Sequence, residues 1–487
     1  MRNKAFGFAL KGSMLCVLAG WAGQAALASG YHFGTQSVSE QATANSSVAE
    51  AANPSTIFYN PAGLTYLPGV QFGGSLNLVA PTVKYSNAQA KYPGGTAVQG
   101  QTSGKITKDL VAVPHLYGSW QLNDRWTAGL GIYVPFASET EYDGNSVLRY
   151  NVNRTKLTSI DINPTIAYRL TDRQSVGFGL IAQYSDAELR QYANWGPLAA
   201  TDPRVQAVMR ARGRANPNGM LDGVANVSGN DWGFGFNAGW LWDVTDAVRI
   251  GASYRSKISH TLSGTTEWSV GSDALGIGSA VLPAIRAAGY AASEGTKVKI
   301  VTPESLSLHG MWKVNPVLNL FGDVTWTRHS RFNQLNIQYD NAKMVANAVS
   351  GGVTTASATT IAPLWRDTYK VAIGASYQYS DPLQLRFGIA YDQSPVRSAD
   401  TRLSTMPDND RIWLSTGFKY DLNKHASLNM AYSYIYIKPG SANVNGYCGS
   451  SVASGAGATS CVSSRTNGSA DYNSHAHILG IAYTYRF

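Results

Sequence analysis

Two charged residues stand where alternating rows of apolar side chains end. Leu383, Leu385, Phe387, Ile389 and Tyr391 share one face of a period-two segment, which turns Asp392 to the opposite face; Ile412, Leu414, Phe418 and Tyr420 do the same for Arg411. A carboxylate and a guanidinium set together away from an apolar face are costly unless paired or solvated. Arg411 is therefore a candidate fork for an anionic ligand, with Asp392 holding it; a structural ion pair is the alternative. Arg190 is a further candidate cation. Trp195, Val205, Val208 and Met209 belong to a stretch whose apolar residues recur three and four apart, and Leu275, Ile277, Val281, Leu282, Ile285 and Tyr290 form a second such stretch. Both read as short amphipathic helices. Their faces either pack only on each other or make an apolar capture groove, with Trp195, Val205, Met209, Leu282 and Ile285 as its binding residues. His475 and His477 share one strand face, but no third ligand is evident and no metal is expected. H-E-x-x-H, G-x-S-x-G and phosphate-loop motifs are absent, so neither an enzyme nor a cofactor is expected.

The elements that position these residues are strands. Trp126, Ala128, Leu130, Ile132 and Val134 form one apolar row. Trp232, Phe234, Phe236, Ala238, Trp240 and Trp242 form another, interleaved with Gly233, Gly235, Asn237 and Gly239. The last residues alternate Leu479, Ile481, Tyr483, Tyr485 and Phe487 with small or polar neighbours. Large aromatics on one face and small residues on the other fit lipid outside and a filled lumen inside. Six short polar turns (121–125, 171–174, 243–247, 313–317, 380–382, 421–426) alternate with seven long connections (81–108, 137–158, 185–230, 257–303, 330–366, 393–410, 438–474). That alternation predicts an all-β, fourteen-stranded antiparallel transmembrane barrel, with both chain ends on the short-turn side.

Charged residues make up only 14%, against 49 glycines and 27 tyrosines, and no mature segment is long and apolar enough for a helical span. Residues 1–28 read as a signal peptide, with Arg2, Lys4 and Lys11 ahead of an apolar stretch and Ala26-Leu27-Ala28 as the cleavage site. Their removal takes the net charge from +9 to +6. Cys16 leaves with them. Cys448 and Cys461 remain in an exported chain and are expected to form a structural disulfide. Residues 29–68 lack strand alternation, yet Ile57, Phe58, Tyr59, Leu64, Tyr66 and Leu67 are too apolar for a free tail. A plug inside the barrel of residues 69–487 is the natural place for them, because fourteen strands enclose more space than wall side chains fill.

In sequence the chain resembles the FadL family of outer-membrane long-chain fatty acid transporters, which also includes channels for aromatic hydrocarbons. The resemblance rests on Ile57-Phe58-Tyr59-Asn60-Pro61-Ala62-Gly63-Leu64, on 129–136, 162–168 and 231–239, and on Ser253-Tyr254-Arg255-Ser256-Lys257. Tyr391-Asp392-Gln393-Ser394-Pro395-Val396 and Pro407-Asp408-Asn409-Asp410-Arg411 complete it. It implies a fourteen-stranded barrel with an N-terminal hatch, gated at Asn60, Pro61 and Ala62. It implies capture at outer loops, transfer to a site in the lumen, and release by hatch movement or sideways at a kink in the third strand. Gly129, Gly131 and Pro135 are placed to make that kink, beside Pro114 in the second strand. Two departures stand out. Ala52-Asn53 replaces the acidic pair common ahead of the hatch motif, and no base lies at 361–364, Arg366 being the nearest. The carboxylate site is then built differently, or the substrate lacks a carboxylate. Expected partners are hydrophobic small molecules, outer-membrane lipid and lipopolysaccharide, and the barrel-assembly machinery; no nucleic acid is expected, and the protein is expected to be monomeric. Neutral hydrocarbon uptake, an outer-membrane lipid hydrolase and an open porin are the competing functions.

Overall fold

The computed structural model describes residues 32–200, 202–211, 213, 217–271, 278–346, 353–448 and 460–487. The predicted signal peptide lies outside them. Fourteen antiparallel strands close into one barrel. In chain order these are β1 (Val70–Lys91), β2 (Val111–Gln121), β3 (Trp126–Glu141), β4 (Arg154–Thr171) and β5 (Gln174–Asn194). Next come β6 (Asp222–Asp243), β7 (Val248–Arg255, continued by Ile258–Val270), β8 (Ser293–Thr302, continued by Ser305–Asn315) and β9 (Leu318–Thr327). The last five are β10 (Thr368–Ser380), β11 (Leu383–Asp392), β12 (Arg411–Asp421), β13 (Ala426–Val444) and β14 (Asn467–Arg486). Gln71 pairs with Arg486, so the first and last strands close the ring. A closed ladder is what a lipid-facing backbone requires, since no water is available to an unpaired edge.

The pleat sends the apolar rows outward. Phe234 is 74% exposed, and Leu180, Ile373, Tyr391 and Tyr483 project in the same sense from their strands. Ser159, Asp161, Asn163 and Gln183 on the opposite faces are wholly buried. All six short turns fall where the sequence places them. Several long connections are shorter than expected, because strands run on after the apolar row stops. On β4, Lys156 Nζ lies 3.0 Å from Glu188 of β5, and Arg154 lies 3.2 Å from the same carboxylate. Above the lipid the ladder still satisfies the backbone, and cross-strand ion pairs take the place of the apolar face. Arg190 belongs to this outer belt: Nη2 lies 2.6 Å from Glu141 and Nε donates to Asn153. Its partners therefore place this candidate cation among the ion pairs of the outer belt.

Strands β9 to β12 are short. Above them stands a hairpin, Leu335–Ala346 and Val353–Ala362, which pairs with the upper part of β8 (Thr296 opposite Tyr339). Its far edge pairs with Cys461–Val462 of the last loop, where Cys448 and Cys461 form the expected disulfide.

Residues 32–67 fill the lumen as short helical turns, Val38–Gln41, Val48–Glu50, Thr56–Tyr59 and Pro61–Tyr66. Two wall glycines allow the close approach. A Cβ on Gly177 of β5 would strike the backbone of Pro61 and Ala62, and one on Gly388 of β11 the backbone of Thr43. Replacing either by Val is expected to cost about 1–3 kcal/mol of overpacking, relieved by expelling the plug. The barrel should still show its heat-modifiable band, while single-channel conductance rises and residues 32–67 become protease-sensitive. A Val variant with parental conductance would show that the hatch does not press on the wall there.

Candidate functional site

The hatch is tied to the wall by side chains reaching across the lumen. Asn60 Nδ2 lies 3.1 Å from the Trp240 carbonyl, 3.3 Å from that of Ala252 and 2.8 Å from His309 Nε2, while its Oδ1 accepts from the Ala62 amide. Pro61 then starts the next turn and Ala62 packs on Leu241. From the wall, Asn237 donates to the Ile57 carbonyl at 2.7 Å. Arg386 of β11, 1% exposed, pairs with Glu50 at 2.8 Å. Burial raises the pKa of Glu40 nearby; a hydrogen bond from Ser37 and the charge of Arg386 oppose the rise without cancelling it.

The third strand is interrupted as expected, though not by its glycines. Pairing of β2 with β3 stops at Leu116 opposite Ile132, and pairing of β3 with β4 skips from Tyr133–Asp161 to Phe136–Ser159. Val134 and Pro135 are left out of the ladder, next to Pro114, which has no N–H to offer. The hatch takes up the freed carbonyls: Phe33 N donates to Pro135 at 2.8 Å and Gln36 Nε2 to Val134 at 2.9 Å. Gly129 and Gly131 lie below the break in regular pairing, and their missing Cβ atoms make room for Ile57 and Leu64 of the hatch.

Two chambers lie above the hatch. The lower, about 1030 Å3 with its open mouth, is bounded by Phe58, Tyr59 and Pro61 below and by β6 to β11 around it. Strand register explains its polarity. Ser253, Ser307, Thr325, Lys370, Asp392 and Arg411 lie directly opposite one another on six successive strands, β7 to β12. Arg255, Ser305, Thr327 and Thr368 form the adjacent row. Asp392 and Arg411 do face the lumen together, 3.5 Å apart, but Asp408 folds onto the same guanidinium and leaves Arg411 1% exposed. Arg411 thus holds the loop after β11 and is closed to a ligand, whereas Asp392 lines the chamber. The open cation is Lys370, which sequence reasoning missed. Its ammonium sits 4.5 Å over the Trp413 ring, and it has no ion-pair partner among the described residues. Asp323 close by accepts from Ser307 and Thr325. Lys370 stands on the lumen side of its strand in the sequence; only the register opposite Asp392 singles it out.

The upper chamber, about 870 Å3 with its open mouth, is apolar. Leu157, Leu189, Val227, Leu262, Phe332 and Ile337 are among its lining, the last two from the segment that stands over β9 to β12. Outside it, the two predicted loop helices form as Pro203–Ala211 and Gly278–Ala287. Leu275 and Ile277 fall outside the described residues. Trp195, Val205 and Ile285 are buried in one cluster, with Trp195 4.8 Å from Tyr290. These faces pack on each other; Met209 and Leu282 remain half-buried at the surface. His475 and His477 face outward beside Tyr434, and no third metal ligand joins them among the described residues.

The family profile described as outer membrane protein transport protein (OMPP1/FadL/TodX) matches residues 19–487. The chain belongs to this family. It is 48% identical over 486 residues to a putative outer membrane protein of Neisseria meningitidis serogroup B, covering 98% of this chain and 99% of the relative. It is 28% identical over 393 residues to a long-chain fatty acid transport protein of Escherichia coli O6:H1, covering 80% of this chain and 82% of that one. A crystal structure of a Pseudomonas aeruginosa FadL homologue superposes with a TM-score of 0.77 at 22% identity, covering 94% of this chain and all of the other, which supports the fold. The protein is an outer-membrane transporter of hydrophobic compounds. In this family member the hatch hangs on Asn60. Asn60→Ala takes the amide away from the Trp240 and Ala252 carbonyls and from the His309 ring, each buried group left unsatisfied costing about 1–3 kcal/mol. A lower melting temperature and a noisier, larger single-channel conductance are expected; unchanged values for both would exclude Asn60 as the hatch anchor.

Proposed function

We propose that the protein passes long-chain fatty acids inward, without energy input, through the two chambers in series. The observation that carries this reading is Lys370, an ammonium without an ion-pair partner among the described residues, next to an apolar space. A fatty acid captured near Met209 and Leu282 lays its tail along the upper chamber, and its carboxylate meets Lys370 below. The Trp413 face and the neighbouring hydroxyls are fixed by the strands, so little rearrangement opposes binding. The hatch and the β3 break are the two ways out, toward the periplasm or sideways into the membrane.

Neutral aromatic hydrocarbons are the competing cargo, since they too would fill the apolar chamber, but they bring no negative charge to pair with Lys370. A hydrogen bond to a charged group contributes about 1.5–3 kcal/mol, so Lys370→Gln should weaken oleate binding by about tenfold or more. Toluene binding should stay within about twofold. Arg411→Gln should instead lower thermal stability, because it strands Asp392 and Asp408. Oleate affinity unaltered in Lys370→Gln would remove the fatty-acid reading and leave the neutral one.

A further inference from the structure

The lower chamber contains a second cation, and it stands against both ways out. Arg255, at the end of the first segment of β7, lines the chamber together with Phe58 of the hatch. Its guanidinium carbon lies 4.8 Å from the Phe58 ring and 5.4 Å from that of Tyr133, the last β3 residue paired before the break. Nη1 donates to the Tyr133 hydroxyl at 3.1 Å, and Nη2 pairs with Asp161 of β4. A guanidinium carries five donors, so these two bonds leave it able to receive an anion without giving up Asp161.

The contacts continue from there to the open edge. The rings of Phe58 and Tyr133 meet edge to face at 5.2 Å, and Phe58 packs on Tyr59 at 4.9 Å. The Tyr59 hydroxyl accepts from the Gln36 amide at 2.9 Å, and the Gln36 side chain in turn covers the Val134 carbonyl. Tyr117 of β2 donates to the Gln36 carbonyl at 2.9 Å. Chamber, hatch and broken strand therefore meet at one guanidinium. Lys370 is three strands round the wall, roughly 14 Å at the usual strand spacing, on the side away from the break.

We propose that Arg255 is a second anion station, which receives a carboxylate head from Lys370 and, in turning to it, leaves the Phe58 face and unseats the hatch beside the β3 break. The proposal rests on the fatty-acid reading above and assigns direction to it: the head moves from β10 toward β3, whose pairing with β2 stops at Ile132. Arg255 acts on the hatch through Phe58, as a positioning residue as well as a ligand contact.

The test uses the full mature chain in detergent with Ser47→Cys as a reporter, since Ser47 is wholly buried in the hatch. Oleate affinity and the rate of maleimide labelling, with and without oleate, are measured for this parent and for added Arg255→Gln, Arg255→Lys and Phe58→Leu. Oleate is expected to speed labelling at least threefold in the parent. With oleate raised to saturate each variant, Arg255→Gln and Phe58→Leu should lose the oleate-dependent increase, with Arg255→Lys restoring part of it. Phe58→Leu keeps the Asp161 pair intact, so it decides the matter if Arg255→Gln fails to fold. An increase that persists in Phe58→Leu, or that is absent from an oleate-binding parent, overturns the proposal. A parent that does not bind oleate overturns the fatty-acid reading itself.

Discussion

A fourteen-stranded barrel encloses more space than its own side chains fill, and everything about this protein follows from how that space is occupied. Residues 32–67 occupy it without forming a domain core. Their few turns are too short to stand alone, so they depend on the wall: Asn60 on Trp240, Ala252 and His309, Glu50 on Arg386, and Ile57 on Asn237. The wall is cut to receive them, with glycines at 177 and 388 where hatch backbone passes. A plug held by side-chain hydrogen bonds and a few ion pairs, not by a continuous ladder, can be fixed in place at rest and still be displaced by local changes.

The space left above the plug divides by polarity because neighbouring strands contribute rows. The upper rows of β4 to β7 bring Leu157, Leu189, Val227 and Leu262 to the upper chamber. A level lower, β7 to β12 bring hydroxyls and charges to another. An amphiphile finds a greasy compartment over a polar one, a gradient suited to orienting a molecule with one charged end. The charges of that lower level are unequal in availability. Arg411 is enclosed by two aspartates, Lys370 rests on an aromatic face, and Arg255 is shared between the wall and the hatch.

Much of this was legible in the sequence. The outward rows, the six turns and the strand number follow from period-two alternation and turn residues, because lipid demands that pattern wherever it touches the chain. The apolar rows stop short of the strand ends where Arg154, Lys156 and Glu188 continue the ladder above the lipid, since ion pairs leave no apolar signature. Alternation turns Asp392 and Arg411 inward, but Asp408 returns from an irregular loop to close Arg411, and no periodicity records that. Lys370 stood in plain view on a lumen row; its meaning came from the partner across the hairpin. The loop helices were visible as amphipathic, though alternation of residue type does not say what an apolar face packs on.

The central claim is that the lumen selects an anionic head beneath an apolar tail. Native mass spectrometry of the protein purified gently from its outer membrane tests this most directly, by identifying the small molecule it retains. The expected result is a long-chain carboxylic acid, displaced when oleate is added. A neutral hydrocarbon retained in its place, and not displaced by oleate, would contradict it.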